Sequence, residues 1–361
     1  MSTKKERFDK LMKSREWYSL RGMLSYWWAM VIVLLGGREV GKSYSVTDFY
    51  VSQWKTKGRP FWWLRLTEAS ASKLLMNNCE KLIDPDIRRR WNLDLVTVGD
   101  SVYEVTKRAK PGEDGKQGKI IQKKLMARVL ALNTFYNDKG SGLFDKDFLD
   151  DPNMYYNLCL DEMNREVTAE RNTFDIVYAF SNQVENIIRS TKKRVRIICV
   201  GNTLEEASDL LTALSFIPET WGRYKLKSKR AVIEYIEPSE KYLERRKGTI
   251  ADIFSGESST FTNKIDVDRT MISKKRLRKP SYIIAFTNKD KFTVWDDNIV
   301  CQYNKESCGR VIAMRPYLDY LFEVKARDVV INLFDTRSYR FRNLVTQKIF
   351  KKNLALLKPR K

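Results

Sequence analysis

The chain has 361 residues, 43% hydrophobic and 12% aromatic, which is apolar material for about two domains with real cores and excludes a disordered protein. Lysine and arginine number 67 against 45 aspartate and glutamate, and a net charge of +22 points to a polyanionic partner, nucleic acid first and an anionic membrane surface as the alternative. There is no histidine, which excludes Ser-His-Asp and Cys-His catalysis, HExxH zinc sites and histidine-based nuclease chemistry.

In chain order, residues 1–25 are basic and predict a helix, open without a signal-peptide core, and lead through Met23-Leu24-Ser25-Tyr26 into the first strand. The apolar run Tyr26–Leu35 covers only about half of the ~20 residues a membrane helix needs, so no membrane span is expected. Val31–Leu35 reads instead as a buried strand, followed at once by Gly36-Gly37-Arg38-Glu39-Val40-Gly41-Lys42-Ser43, the phosphate-loop pattern G-x-x-x-x-G-K-S, with Tyr44 next and a helix to Trp54. Polyphosphate needs donors without bulk. Gly36 and Gly41 can turn successive N–H groups inward around its oxygens, Lys42 can reach the β- and γ-phosphates, and Ser43 can hold Mg²⁺ at the positive end of the helix. An ordinary glycine-rich turn is the competing reading, and the strand–loop–helix context argues against it.

Phe61–Leu66 predicts a strand and Glu68–Ile83 a helix, so the rhythm is that of a mostly parallel sheet covered on both faces. Leu95–Gln122 breaks it with short antiparallel strands at Val96–Val98, Val102–Thr106 and Lys119–Gln122. Between the last two lies a Gly/Pro-rich tip carrying Lys107, Arg108 and Lys110, either a solvated hairpin end or a DNA-facing loop. Val129–Leu132 resumes the parallel sheet, and the polar stretch Asn133–Asn153 is long for a connector. A helix Phe174–Arg189 and strands at Arg196–Asn202 and Ala231–Ile236 follow. Pro238–Gly256 reads as a charged, hinge-like helical segment, and the cluster Lys274, Lys275, Arg276, Arg278 and Lys279 opens the C-terminal part. That cluster fits a solvated or nucleic-acid-facing linker better than a nuclear-import signal. Three short strands, Tyr282–Thr287, Lys291–Trp295 and Ile299–Tyr303, precede helices and a basic tail. The five cysteines form no CxxC pair, and Cys159 and Cys199 read as small core hydrophobes in a reducing compartment.

The second chemical element is the apolar strand Tyr155–Leu160 ending in Asp161-Glu162. Asp161 would complete the Mg²⁺ shell begun by Ser43, and Glu162 would orient and deprotonate an attacking water. Asn164 stands where a GTPase DxxG switch needs glycine, and Asn288-Lys289-Asp290 lacks the spacing of a guanine-reading NKxD, so ATP is favoured. Asn202, at the end of the next strand, can sense the γ-phosphate through its amide, or simply cap the strand. Arg189, closing the helix, can enter a neighbouring subunit's site as an arginine finger, with Lys192, Lys193, Arg194 and Arg196 beside it as alternatives.

Met23–Tyr26, Gly36–Tyr44, Asp161-Glu162, Arg189, Arg194–Cys199, Gly201-Asn202 and Glu244-Arg245-Arg246-Lys247, in this order, resemble the phi29-type genome-packaging ATPases of small tailed bacteriophages over most of residues 20–260. The resemblance implies an α/β fold: a P-loop (ASCE) ATPase domain over 1–236, a helical linker over 237–272, and a small α+β RNase H-like domain over 273–361. It implies ATP and Mg²⁺ as cofactors and a ring, a homopentamer, on the portal (connector) of a procapsid in the host bacterial cytoplasm, absent from the mature virion. Double-stranded DNA would be its substrate, and a structural packaging RNA is a further possible partner. Residue by residue it carries Lys42 and Ser43 as phosphate and Mg²⁺ ligands, Asp161-Glu162 as Walker B and base, Arg189 as the finger, Lys139 as a second basic residue facing the neighbour's nucleotide, and Arg65 near the nucleotide or the DNA channel. A working nuclease needs a carboxylate in its first strand to hold metal, and Tyr282–Thr287 has none, so the last domain reads as a vestigial nuclease fold. Two rivals stand beside this reading: a terminase-like motor that still cuts DNA, and a basic nucleic-acid-binding assembly protein with a regulatory nucleotide site.

Overall fold

The structure is a computed structural model and describes residues 16–110, 118–137, 156–163, 175–188, 194–202, 208–249, 252–253, 269–278, 280–286, 290–295, 298–302 and 324–357. The chain divides into two compact units, residues 1–210 with 218–265, and residues 211–217 with 266–361.

Among the described residues the first unit opens on a single helical turn, α1 (Arg21–Leu24), and enters β1 (Val31–Gly36); most of the helix expected over residues 1–25 lies outside the described residues. Gly41, left-handed at φ 93°, starts α2 (Lys42–Lys57), and Gly58, left-handed at φ 61°, closes it by donating to the Trp54 carbonyl. β2 (Phe61–Arg65) leads to α3 (Glu68–Cys79), capped by the Thr67 hydroxyl. The helix expected over Glu68–Ile83 breaks at Asn77 and Asn78, both left-handed. A second helix that sequence reading missed, α4 (Pro85–Trp91), starts on an Asp84 cap with proline in its first turn. β3 (Leu95–Val98), β4 (Ser101–Arg108) and β5 (Ile120–Ala131) form an antiparallel wing. Lys119–Gln122 and Val129–Leu132, read as separate strands, belong to this one long β5. Next come β6 (Tyr156–Asp161), α5 (Ile176–Ile188), β7 (Val195–Asn202), the unforeseen β8 (Gly222–Leu226), β9 (Ala231–Tyr235) and α6 (Glu240–Arg246).

The nine strands lie in the order β3-β4-β5-β2-β6-β7-β1-β9-β8. The six from β5 to β9 are parallel, with antiparallel strands only toward the edges. β1, β2 and β6 are continuous apolar runs because both faces of the sheet centre are covered. The main core gathers Ile32, Leu34, Val46, Tyr50, Trp63 and Ile198, and the Tyr50 hydroxyl donates 2.8 Å to the Leu158 carbonyl, tying α2 to β6. On the outer side, Trp54 and Lys55 reach Glu104 of β4 at 2.6 and 2.7 Å, which fixes the wing to α2.

In the second unit β10 (Pro280–Ala285), β11 (Lys291–Trp295) and β12 (Ile299–Gln302) form an antiparallel meander, and β13 (Arg340–Phe341) pairs parallel to β12. Its described helices include α7 (Val324–Asp335) and α8 (Leu344–Leu357). Phe350 of α8 centres this core: the rings of Phe286, Phe292, Phe334, Tyr339 and Phe341 lie 5.1 to 6.1 Å from its own. The large mostly parallel sheet and the small mixed sheet beyond it are the α/β class read from sequence. Among the described residues no helix is long and apolar enough to cross a membrane.

Candidate functional site

Strand register builds the site. Gly36 at the end of β1 pairs with Asn202 at the end of β7, Asp161 at the end of β6 pairs with Val200, and Leu64↔Leu160 pairing sets Arg65 beside Asp161. The carboxyl ends of four neighbouring parallel strands therefore converge, the crevice where α/β sheets bind ligands. A pocket there is lined by residues 38–44 together with Glu162 and Asn202.

The loop itself turns on two left-handed residues, Gly41 at φ 93° and, less usually, Glu39 at φ 61°. For a non-glycine residue that conformation costs on the order of 1 kcal/mol and persists only where neighbours hold it. Lys42 is buried and folded back over the loop, its Nζ donating to the Gly36 and Gly37 carbonyls at 2.9 and 2.5 Å and to Asn202 Oδ1 at 3.3 Å. Burial pulls its ammonium down to about 8, with Asp161 opposing the shift and Arg38 adding to it. An arriving polyphosphate would add to the counter-charge that Asp161 supplies.

Ser43 Oγ donates 3.0 Å to Asp161 Oδ1. Burial pushes the Asp161 carboxyl up, against the pull of the Arg65 guanidinium; Glu162 raises it further, and the bond from Ser43 lowers it. A hydroxyl and a carboxylate side by side are the hard oxygen donors that suit Mg²⁺, which binds few protein ligands and keeps waters and phosphate oxygens for the rest. Glu162 sits in the left-handed region at φ 54°, with its side chain half exposed toward the pocket. Arg65 bridges the acidic pair, one guanidinium nitrogen 3.2 Å from Asp161 Oδ2 and another on Glu162 Oε2. Sequence alone offered for Arg65 only a place near the nucleotide or the channel; the clamp on both acids depends on β2 lying next to β6.

Lys42, Ser43, Asp161, Glu162 and Asn202 thus come together. Tyr44 lines the same pocket and donates 2.7 Å to Asp86, with Arg90 at 2.6 Å from its hydroxyl. Arg189, Lys139 and Lys279 lie outside the described residues. Of the basic candidates, Lys107 and Lys110 are exposed on the wing, whereas Arg108 is committed to Asp94 through two bonds of 2.5 and 2.8 Å. The exposed Lys123 and Lys124 of β5 extend that basic face and were not singled out from sequence; Lys123 lies 4.2 Å over the Tyr103 ring. Lys274, Lys275, Arg276 and Arg278 are exposed in the second unit. Among the described residues no group of three or more His, Cys, Asp or Glu side chains gathers as a metal cluster.

The strand order and the loop define the class: an α/β protein whose large, mostly parallel sheet carries a phosphate-loop pattern at the carboxyl end of β1. No protein-family model matches the chain, and no curated protein matches its sequence. Among solved structures it is similar to the Phi-28 DNA packaging motor, at 15% identity over 96% of this chain and 100% of that one, TM-score 0.58. It is likewise similar to the bacteriophage Phi-29 viral genome packaging motor assembly, at 20% identity over 95% of this chain and 100% of that one, TM-score 0.60. At such identities the likeness is one of fold. It extends over nearly the whole chain, as the resemblance read from the motifs implied.

Proposed function

We propose that this protein is an ATP-driven translocase that packages double-stranded viral DNA into a preformed capsid, hydrolysing ATP at the subunit interfaces of a homo-oligomeric ring, a pentamer. The observation that carries the proposal is the convergence of Lys42, Ser43, Asp161, Glu162 and Asn202 at one sheet edge. The shared fold with phage packaging motors supports the choice of DNA as the load.

In this reading Lys42 leaves the loop carbonyls for the β- and γ-phosphates, and the loop N–H groups take the remaining oxygens. Ser43 and Asp161 would hold Mg²⁺, which would supply neutralisation of phosphate charge there. Glu162 accepts the proton of the attacking water, and Asn202 orients that water or the γ-phosphate. Arg65 holds the Glu162 carboxylate in this structure, so Glu162 reaches the water once Arg65 lets it go. A neighbour's Arg189 stabilises charge on the transferred phosphoryl, with Lys139 beside it. Lys107, Lys110 and the cluster 274–279 grip phosphate without reading sequence. Residues 1–236 are the motor domain, 237–272 the linker, and 273–361 a vestigial RNase H-like domain for docking to the portal, directly or through a structural RNA; β10 contains no carboxylate for a metal pair.

The test is the ATPase rate with and without duplex DNA across an ionic-strength series. Stimulation by DNA that fades steeply as salt rises is expected, because phosphate contacts release counterions. A rate indifferent to DNA at every salt concentration would sink the translocase reading.

A further inference from the structure

The phosphate loop is held from outside as well as from within. Six consecutive carbonyls, Gly36 to Gly41, each accept a hydrogen bond. Lys42 Nζ takes the first two, and the Ser45 amide takes Gly41 at 3.0 Å. The middle three are taken by segments far away in sequence: the Tyr242 hydroxyl donates 3.0 Å to Arg38, Arg245 Nη2 donates 2.7 Å to Glu39, and the Tyr18 amide donates 2.9 Å to Val40. Arg246, itself buried, faces the Glu39 carboxylate at 3.4 Å, and Arg245 lies 3.8 Å over the Trp17 ring with Glu16 at 3.6 Å. Tyr242 is 1% exposed, and its own amide caps onto Ser239 at 3.1 Å.

A peptide whose carbonyl is pinned outward has its N–H directed the other way, so with the Arg38, Glu39 and Val40 carbonyls engaged on the outside, the amides that follow them are presented to the inside. Those amides are the anion cradle. Glu39 has a left-handed backbone that needs external support, and two arginines of α6 meet it, one on its carbonyl and one on its carboxylate. We infer that Tyr242 and Arg245, with Arg246 acting through Glu39, are positioning residues for nucleotide binding: α6 and residues 16–18 form a collar that sets the phosphate loop before the ligand arrives. The collar also makes α6, which opens the proposed linker, the element in direct mechanical contact with the loop. This inference rests on residues 36–43 being the nucleotide site.

The experiment uses the full chain with Mg²⁺ and a fluorescent ATP analogue, comparing Tyr242→Phe, Arg245→Gln and Arg245→Lys with the parent. Tyr242→Phe keeps the buried ring and removes only the donor. Arg245, whose side chain is 26% exposed, gives a second variant that does not disturb the core. Tyr242→Phe and Arg245→Gln are each expected to weaken analogue binding about tenfold, the scale of one hydrogen bond. KM for ATP should rise by the same factor and kcat at saturation should stay within about twofold. Arg245→Lys, which keeps a donor, should stay within about threefold of the parent. Variants that melt earlier yet bind and turn over as the parent does would overturn the inference and leave the site standing, as would a loss confined to kcat. A parent protein that binds no analogue would instead remove the site itself.

Discussion

Arg65 sits with 11% of its side chain exposed and one guanidinium nitrogen 3.2 Å from Asp161, whose own side chain is 7% exposed. Breaking a buried pair leaves a charge with no compensation, whereas the Glu162 half of the clamp is screened by solvent and adds little. Arg65→Ala is therefore expected to destabilise the first unit by about 3 kcal/mol, read from a denaturant titration. A loss below about 1 kcal/mol would mean that Asp161 carries its proton in the resting protein and needs no partner. The phosphate loop and the acidic pair were legible in the sequence because each is one contiguous run after an apolar strand. The Arg65 clamp and the collar donors Tyr18, Tyr242 and Arg245 were not legible, because each acts on residues that only folding brings near. The stretch Glu244–Lys247 was singled out for its resemblance, with no hint of what its arginines hold.

At the scale of elements, misread boundaries have local physical causes. α3 ends where Asn77 and Asn78 adopt left-handed angles, which asparagine tolerates and which a search for apolar periodicity passes over. β8 is a basic edge strand of five residues, Gly-Arg-Tyr-Lys-Leu, too short for its Tyr224/Leu226 alternation to stand out and with no buried residue, and β5 looked like two strands because its outer half is solvent-facing and charged. That outer half makes the wing a testable DNA contact. Lys107→Ala together with Lys110→Ala should make the salt dependence of DNA affinity shallower by about 1 to 2 in log–log slope and leave DNA-independent hydrolysis unchanged. An unaltered slope would return this face to the status of a solvated hairpin. Arg108→Ala should behave differently, loosening the wing through the lost Asp94 pair without moving the slope.

Across the whole molecule, the alternation of strands and helices revealed a parallel sheet, but not that β6 and β7 insert between β1 and β2, since strand order is a property of long-range packing. A net charge of +22 and an arginine contributed by a neighbour are both what the proposed assembly around a polyanion would use. Subunits carrying Arg189→Ala and subunits carrying Glu162→Gln, each inactive alone, should regain partial hydrolysis when mixed, because each supplies what the other lacks; a mixture as inactive as its parents would take Arg189 out of that role. In the proposed function, water activated by Glu162 cleaves a triphosphate held on the loop Gly36–Ser43. Equilibrium binding of ATP and its steady-state hydrolysis, measured side by side for the parent and Glu162→Gln, test it most directly. Equal binding in both, with hydrolysis slowed at least about a hundredfold in the variant, is the expected result; a parent that retains no nucleotide, or a variant that hydrolyses as fast as the parent, would contradict it.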